Sequence, residues 1–264
     1  MENDISTEIS EVANLIAGAD SILFITGAGI SADSGLPTYR GLGGLYNGSV
    51  TEEGFTIEEA LSSNVMSKRP DITWKYLWQI GSACLKAKPN SAHKIISLIQ
   101  EIKPDSWVLT QNIDGLHRAA GNKNLIEIHG NAFDLYCTQC GYKPDIDALF
   151  PVSGQKPELP PKCAKCTGIV RPNVVLFGEM LPEECLAQYY KVLSSNPELI
   201  ISIGTSGMFQ YITGPVYDAI HQGRKTVEIN PAESNFSGMV NYYLPLTAAR
   251  AMEKIWEKLK LHFV

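Results

Sequence analysis

Short apolar runs rich in β-branched residues recur along the chain, and helix-length segments separate them. The first run covers residues 21–26 and ends directly in Gly27. Similar runs occupy residues 106–110, 125–128, 174–177, 199–203 and 226–229. Continuous apolar runs of this length are typical of parallel strands buried on both faces. The pattern therefore predicts an α/β fold with a doubly wound, Rossmann-like parallel sheet.

Helical periodicity is clearest at the two ends of the chain. Residues 7–17 repeat apolar side chains at helical spacing until Gly18, and residues 248–261 do the same. Two other stretches, 41–87 and 137–170, do not fit the sheet pattern. We predict that these two stretches form one smaller inserted lobe, part helical and part zinc-binding. The Rossmann-like domain would then comprise residues 1–40, 88–136 and 171–264.

Composition and charge narrow the classes of partner. The 264 residues are 44% apolar and 19% charged, which suits one globular domain with a smaller insert. No apolar run approaches the ~20 residues that cross a bilayer, and the acidic start differs from a signal peptide. We therefore expect an intracellular protein without a membrane partner. The net charge of −6 argues against nucleic acid as a partner, whereas a basic peptide suits it.

Four of the six cysteines form two C-x2-C pairs, Cys137 with Cys140 and Cys163 with Cys166. Four thiolates complete a tetrahedral shell and leave no place for a reactive water, so the pattern predicts one structural Zn²⁺. A disulfide or redox pair is the alternative. Because thiolate clamps persist in reducing compartments, we expect a cytoplasmic protein.

A glycine motif follows the first predicted strand. Residues 27–32 read Gly-Ala-Gly-Ile-Ser-Ala, which satisfies G-x-G-x-x-[GA] and could bring backbone amides to a pyrophosphate. A tight strand-to-helix turn is the alternative for these six residues. A dehydrogenase would continue to a second strand and an acidic residue that binds ribose, whereas residues 33–41 interrupt with Pro37 and two further glycines. Such a loop can bring Tyr39 and Arg40 to a cofactor.

Polar residues follow two more predicted strands. Gln111, Asn112 and Asp114 could recognise a carboxamide, although Asn112 or Asp114 could equally cap a helix. His129 follows residues 125–128, and a neutral imidazole there could take a proton from a sugar hydroxyl. A merely structural role is the alternative for any single histidine.

Taken together, these motifs resemble the sirtuin family. The residues that carry the resemblance are GAGISADSGLPTYRG at 27–41, QNID at 111–114, EIHG at 127–130, VVLFGE at 174–179, GTS at 204–206 and Asn230, and the resemblance spans residues 21 to about 232. The resemblance implies an NAD-dependent protein lysine deacylase that transfers the acyl group to ADP-ribose and releases nicotinamide. It implies acyl-lysine proteins or peptides as partners and NAD as co-substrate.

The resemblance also assigns residues. It implies catalytic roles for His129, Asn112 and Asp114. It implies cofactor contacts at Gly27, Ala28, Gly29, Asp33, Tyr39, Arg40, Gln111, Asn112, Ile113, Asp114, Gly204, Thr205, Ser206 and Asn230. It implies that the substrate backbone adds as a strand along Val175, Leu176, Phe177, Gly178 and Glu179.

The acyl preference rests on two other positions. Family members that favour succinyl or malonyl groups present a tyrosine and an arginine three residues apart, where this chain has Leu77 and Ile80. Burying an acidic acyl group without a cation is costly, so we expect acetyl or a longer apolar group. The sequence Thr38-Tyr39-Arg40 points towards the other branch. The competing hypotheses are an NAD glycohydrolase or mono-ADP-ribosyltransferase on the same fold, and a non-catalytic sensor.

Overall fold

The computed structural model describes residues 2–38, 50–149 and 157–263. The helices are α1 Glu2–Gly18, α2 Ile57–Ala60, α3 Ser63–Lys68, α4 Pro70–Lys86, α5 Ser91–Ile102, α6 Leu116–Ala119, α7 Glu183–Ser194, α8 Gln210–His221 and α9 Ala248–Leu259. The strands are β1 Ile22–Thr26, β2 Trp107–Thr110, β3 Leu125–Glu127, β4 Gly130–Cys137, β5 Val170–Val174, β6 Leu199–Ile203, β7 Lys225–Ile229 and β8 Tyr242–Leu244. Short 3-10 helices cover Ala28–Ser34, Ile146–Ala148 and Lys260–His262.

Six strands form one parallel sheet in the order β3-β2-β1-β6-β7-β8. The order reverses beside β1, which is the place where doubly wound sheets bind ligands. Thr26 at the end of β1 is level with Thr110 of β2 and Ile203 of β6. The loops after these strands therefore share one edge of the sheet. The doubly wound prediction is confirmed.

Both faces of the large sheet are covered at β1, where every position is buried and only Thr26 is polar. Phe24 points into a cluster with α1, α5 and α9, whereas Leu23 and Ile25 pack against α7 and α8. This alternation follows from the two-residue period of a strand. In the described part of the chain, no helix has both the length and the apolar character to cross a membrane.

One predicted strand belongs elsewhere. Residues 174–177 are not part of the parallel sheet; instead Val170–Val174 pairs antiparallel with Gly130–Cys137 in a separate two-stranded sheet. The sixth parallel strand is Tyr242–Leu244, which lies at the edge beside β7. The prediction that residues 174–177 form a strand of the parallel sheet was wrong, because apolar, β-branched character does not specify the partner strand.

A third apolar cluster packs helix α4 against the small sheet. It includes Trp74 and Leu77 of α4, Leu135 of β4 and Val170 of β5, together with buried Cys163. This packing joins α4, β4 and β5 in one cluster. The lobe boundaries 41–87 and 137–170 remain a prediction, and residues 41–49 and 150–156 lie outside the described residues.

Candidate active site and metal centre

A cleft of about 470 Å³ opens where the carboxyl edge of the large sheet faces the loop after β5. Most of the residues singled out in the sequence line it together: Gly27, Ala28, Gly29, Leu77, Ile80, Gln111, Asn112, Ile113, His129, Val175, Leu176, Phe177, Gly178, Glu179, Gly204, Thr205, Ser206 and Asn230. A smaller cavity of about 40 Å³ shares Ala28, Ile80, Asn112 and Ile113 with the cleft and adds Asp114.

Two predicted cofactor contacts among the described residues, Asp33 and Asp114, do not line this cleft. The Asp33 carboxylate accepts a hydrogen bond from the backbone N–H of Ala249 at 3.0 Å, so it caps the first turn of α9. Asp33 lines neither the cleft nor the smaller cavity. Tyr39 and Arg40 lie outside the described residues.

The glycine turn after β1 packs directly on the loop after β6. The Gly29 N–H donates to the Gly204 carbonyl at 2.9 Å. A Cβ atom on Gly29 would lie 2.6 Å from Gly204 Cα, and one on Gly27 would lie 2.8 Å from the Gly204 carbonyl oxygen. Gly204 itself has a φ of 60°. These glycines are therefore required for the close approach of two backbones at the ligand-binding edge.

Hydrogen bonds join the QNID residues to the glycine turn. The Asn112 side-chain amide donates to the Gly27 carbonyl at 3.1 Å and to Ser31 Oγ at 3.2 Å. Ser31 donates to the Asp114 carboxylate at 2.7 Å, and the Leu116 N–H donates to the other oxygen at 2.9 Å. Burial raises the pKa of Asp114. Asp114 thus also binds the first backbone N–H of α6, although the N-cap residue of that helix is Gly115.

His129 is held at both ring nitrogens. Its Nδ1 lies 2.9 Å from the backbone carbonyl oxygen of Gln111, and its Nε2 lies 2.7 Å from the hydroxyl of Tyr211. A carbonyl oxygen only accepts, so Nδ1 carries the hydrogen and Nε2 carries the lone pair. Burial lowers the pKa of His129. The imidazole is therefore neutral near pH 7 and can act as a base.

Tyr211 is a cleft residue that the sequence analysis did not single out. Its ring stacks on Phe209 with centroids 5.3 Å apart and planes 12° from parallel, and both residues line the cleft. Both stand where the loop after β6 enters α8. Their position just beyond a parallel strand end is the one signal that could have marked them.

The loop after β5 closes the other side of the cleft. Glu179 lines the cleft, but its carboxylate receives two bonds from the Arg171 guanidinium, at 2.6 and 3.0 Å, and one from the Leu176 N–H at 2.8 Å. The backbone N–H of Val175 donates to the His129 carbonyl, and that of Phe177 donates to Leu61. The amide donors of this segment are thus largely used within the protein.

The four paired cysteines converge at one point. Their sulfur atoms all lie within 4.8 Å of one another, with Cys137 and Cys166 at 3.4 Å and Cys140 and Cys163 at 3.7 Å. Zn–S bonds of about 2.3 Å in a tetrahedron place sulfurs about 3.8 Å apart, so the four cysteines fit one structural Zn²⁺.

Backbone geometry at the two cysteine pairs also suits a metal site. The N–H groups of Gln139 and Lys165 point to the sulfurs of Cys137 and Cys163, each at 3.4 Å. Gly141 takes the left-handed conformation after the first pair, with a φ of 69°. After the second pair Thr167 does so with a φ of 63°, not Gly168.

Comparison with known proteins agrees with this arrangement. A model of the Sir2 family matches residues 27–210. The "NAD-dependent protein deacylase 2" of Pseudomonas syringae pv. tomato is 47% identical over 247 residues, which cover 93% of this chain and 98% of that protein. The "NAD-dependent protein deacylase" of Aquifex aeolicus is 35% identical over 240 residues, covering 91% of this chain and 95% of that protein.

Solved structures give the same result. A Sir2 homologue in complex with NAD has a TM-score of 0.81 and 31% identity, covering 96% of this chain and 94% of that chain. A Sir2 protein with a deacetylated p53 peptide and 3'-O-acetyl ADP-ribose has a TM-score of 0.82 and 28% identity, covering 94% of this chain and 97% of that chain. The resemblance carried by the sequence motifs is thus confirmed, and the chain belongs to the Sir2 family, the sirtuins.

Proposed function

We propose that this protein is an NAD-dependent protein lysine deacylase that transfers the acyl group of a modified lysine to ADP-ribose. The observation that carries the proposal is the place of His129. Its imidazole stands in the cleft between the dinucleotide-type edge of the large sheet and the loop after β5. A base in that position can serve a sugar on one side and an acylated side chain on the other.

The sheet edge suits NAD for chemical reasons. Gly27, Gly29 and Gly204 line the cleft and have no room for side chains between their two loops, so backbone groups stand at the surface of the cleft, where they can approach a phosphate. Thr205, Ser206 and Asn230 line the part of the cleft beyond β6 and β7, and we assign them to the adenosine side. Asn112, Ile113 and Asp114 reach the smaller cavity, and we assign them to the nicotinamide side.

The residues of this chain then have distinct tasks. NAD supplies a carbon that loses nicotinamide when the amide oxygen of the acyl-lysine attacks it, and holding the two reactants together supplies much of the rate. Asn112 and Asp114 orient the nicotinamide end. His129 is the base for the proton that a ribose hydroxyl releases, and it accepts a proton at Nε2, because Nδ1 is committed to Gln111. Water then completes the transfer of the acyl group to the ribose, and the products are free lysine, nicotinamide and O-acyl-ADP-ribose.

We propose acetyl or a longer apolar acyl group as the substrate. Leu61, Leu77, Ile80 and Ile113 line the cleft, and no lysine or arginine does so among the described residues. A succinyl carboxylate would find no cation among these described lining residues, and an unpaired buried charge is costly. Comparison of acetyl- and succinyl-lysine peptides tests this, and faster succinyl turnover would refute it.

The proposed partners are acyl-lysine proteins or peptides, and no lysine or arginine that could pair with nucleic-acid phosphates lines the described part of the cleft. The relatives named as deacylases and the solved complex with a deacetylated peptide support this substrate class. We propose a cytoplasmic location because four thiolates gathered for a metal need reducing conditions.

One experiment tests the function against its alternative. The protein and a His129→Ala variant are each incubated with NAD and an acetyl-lysine peptide, and the products are measured by mass spectrometry. We expect deacetylated peptide and O-acetyl-ADP-ribose with the wild type only. Loss of NAD with an untouched peptide would favour an NAD glycohydrolase or, if ADP-ribose is found on protein, a mono-ADP-ribosyltransferase. Binding of NAD without turnover would favour the third hypothesis, a non-catalytic sensor.

A further inference from the structure

His129 can accept a proton at only one of its two ring nitrogens. Nδ1 faces the Gln111 carbonyl oxygen at 2.9 Å and keeps its hydrogen in every protonation state. The basic lone pair therefore lies on Nε2 alone. An imidazole nitrogen has one such lone pair, so it accepts one strong hydrogen bond at a time.

The Tyr211 hydroxyl already occupies that lone pair. It lies 2.7 Å from Nε2 and is the donor, because Nε2 has no hydrogen in the neutral ring. Burial raises the pKa of Tyr211 to about 12, so the phenol keeps its proton at neutral pH. No second hydrogen bond to this hydroxyl is present among the described residues, and its oxygen can accept from a group in the cleft.

Packing keeps the hydroxyl in place. The Tyr211 ring is stacked on Phe209, and its plane meets the His129 ring at 86°. Phe209 also meets His129 edge to face, with centroids 5.8 Å apart. Both aromatic residues pack against the apolar cluster below α7 and α8. A swing of Tyr211 away from Nε2 would break these contacts.

We propose that Tyr211 is the proton relay between the ribose hydroxyl and His129, an inference that rests on the deacylase function proposed above. As the ribose oxygen attacks, its O–H bond breaks and a new O–H bond forms on Tyr211. At the same time the original Tyr211 O–H bond breaks and an N–H bond forms on His129 Nε2. One proton moves at each position, no electron is gained or lost, and Tyr211 ends neutral.

The test compares Tyr211→Phe with a matched control. Phenylalanine keeps the ring and its stacking and removes only the hydroxyl. Tyr190→Phe is the control, because Tyr190 is 61% exposed on α7 and does not line the cleft. Each variant is assayed with NAD and an acetyl-lysine peptide for kcat, for KM of NAD, and for nicotinamide release in a single turnover, a step that needs no base.

We expect Tyr211→Phe to lower kcat for deacetylated product at least about tenfold, within the range usual for lost acid–base catalysis. The KM of NAD and the release of nicotinamide should stay within about twofold of wild type, since only the later proton transfer is affected. The double variant with His129→Ala should be no slower than His129→Ala alone, because the two residues carry the same proton.

A second measurement, by NMR, tests the hydrogen bond itself and does not depend on turnover. In NAD-free protein, the ¹⁵N signal of His129 Nε2 should shift in Tyr211→Phe and not in Tyr190→Phe. An unchanged ring signal would overturn the proposal by showing that the hydrogen bond does not form in solution.

The kinetic outcomes that refute the relay are distinct. An unchanged or faster Tyr211→Phe would show that the hydroxyl is idle or only blocks Nε2. A parallel loss of nicotinamide release and NAD affinity would show that the ring acts by packing. If the wild type itself fails to deacetylate, the proposed function fails first, whereas an active wild type with an unaffected Tyr211→Phe refutes only the relay.

Discussion

Replacing Glu179 with glutamine tests whether its carboxylate binds substrate or fixes the loop on which it stands. The sequence motif assigned Glu179 to substrate. In the structure both carboxylate oxygens are paired with Arg171, and one of them also accepts from the Leu176 N–H. The Arg171 side chain is 8% exposed and that of Glu179 is 26% exposed. Loss of the carboxylate would leave a guanidinium buried without its counter-charge.

The size of the effect follows from this burial. Removing one partner of a fully buried pair costs about 3–5 kcal/mol, and an exposed pair contributes about 0–1 kcal/mol. Because Glu179 is partly solvated, we expect Glu179→Gln to lower the free energy of unfolding by about 2–4 kcal/mol. Glutamine has the same size and can still accept from Leu176, so the loss is due mainly to charge.

The assay is urea denaturation followed by circular dichroism, with an exposed pair as control. Arg69 and Asp71 form a two-bonded pair of the same kind, but their side chains are 59% and 49% exposed. We expect Asp71→Asn to cost about 1 kcal/mol or less. Equal shifts for Asp71→Asn and Glu179→Gln would refute the argument from burial.

Kinetics separate the two roles of Glu179. Arg171 does not line the cleft. If the pair only fixes the loop, Arg171→Met should raise the KM of the peptide as Glu179→Gln does, by about fivefold for about 1 kcal/mol, with the KM of NAD unchanged. A rise in Glu179→Gln alone, at unchanged stability, would show that the carboxylate contacts the peptide directly.

Three further predictions concern the metal, the proton and the glycine turn. The protein should contain one zinc per chain, measured by atomic emission. Chelation should lower its melting temperature sharply, since the binding free energy of structural Zn²⁺, about 10–16 kcal/mol in small sites, contributes to folding. An unchanged melting curve without zinc would contradict this prediction. The deacylation rate should be highest where His129 is neutral and should fall as the pH drops through the His129 pKa. Because burial lowers this pKa, the acid limb of a pH-rate profile should lie below the usual histidine value of about 6.5. A midpoint above pH 7 would contradict the prediction. Gly29→Ala should lower the free energy of unfolding by about 1–3 kcal/mol and weaken NAD binding, measured by calorimetry, because the new Cβ would meet the Gly204 backbone. Gly18→Ala is the control: no atom lies within 4 Å of its Cβ, so neither free energy should change by more than about 0.5 kcal/mol.

Positions at strand ends could be predicted from the sequence because they depend on one rule. A parallel sheet brings the ends of its strands to one edge, so locating β1, β2 and β6 was enough to bring Gly27, Gln111 and Gly204 together. The zinc site could be predicted equally well, because two cysteines separated by two residues have the spacing that a tetrahedral zinc site requires. Neither inference needed the packing of any side chain.

Other features depend on contacts that local sequence does not encode. β8 has only three residues and owes its place to pairing with β7 at the sheet edge. The Tyr211 hydroxyl meets an imidazole 82 positions away in the chain. Asp33 lies within the glycine motif, yet its carboxylate caps α9, 216 positions away. Such pairings follow from tertiary packing, and neither periodicity nor a motif predicts them.

The position of His129 explains how one residue can serve both sides of the cleft. It stands between β3 of the large sheet and β4 of the small sheet, where the chain passes from one to the other. Its ring is fixed by Gln111 at the end of β2, and its carbonyl accepts from Val175 in the loop after β5. The next residue, Gly130, has a φ of 77°, and a Cβ there would lie 1.8 Å from the Asn173 carbonyl oxygen. Only glycine allows this turn. The imidazole is therefore fixed to the edge of the large sheet through its ring and to the loop after β5 through its backbone, so its place between the two sides of the cleft is set by one short turn of the chain.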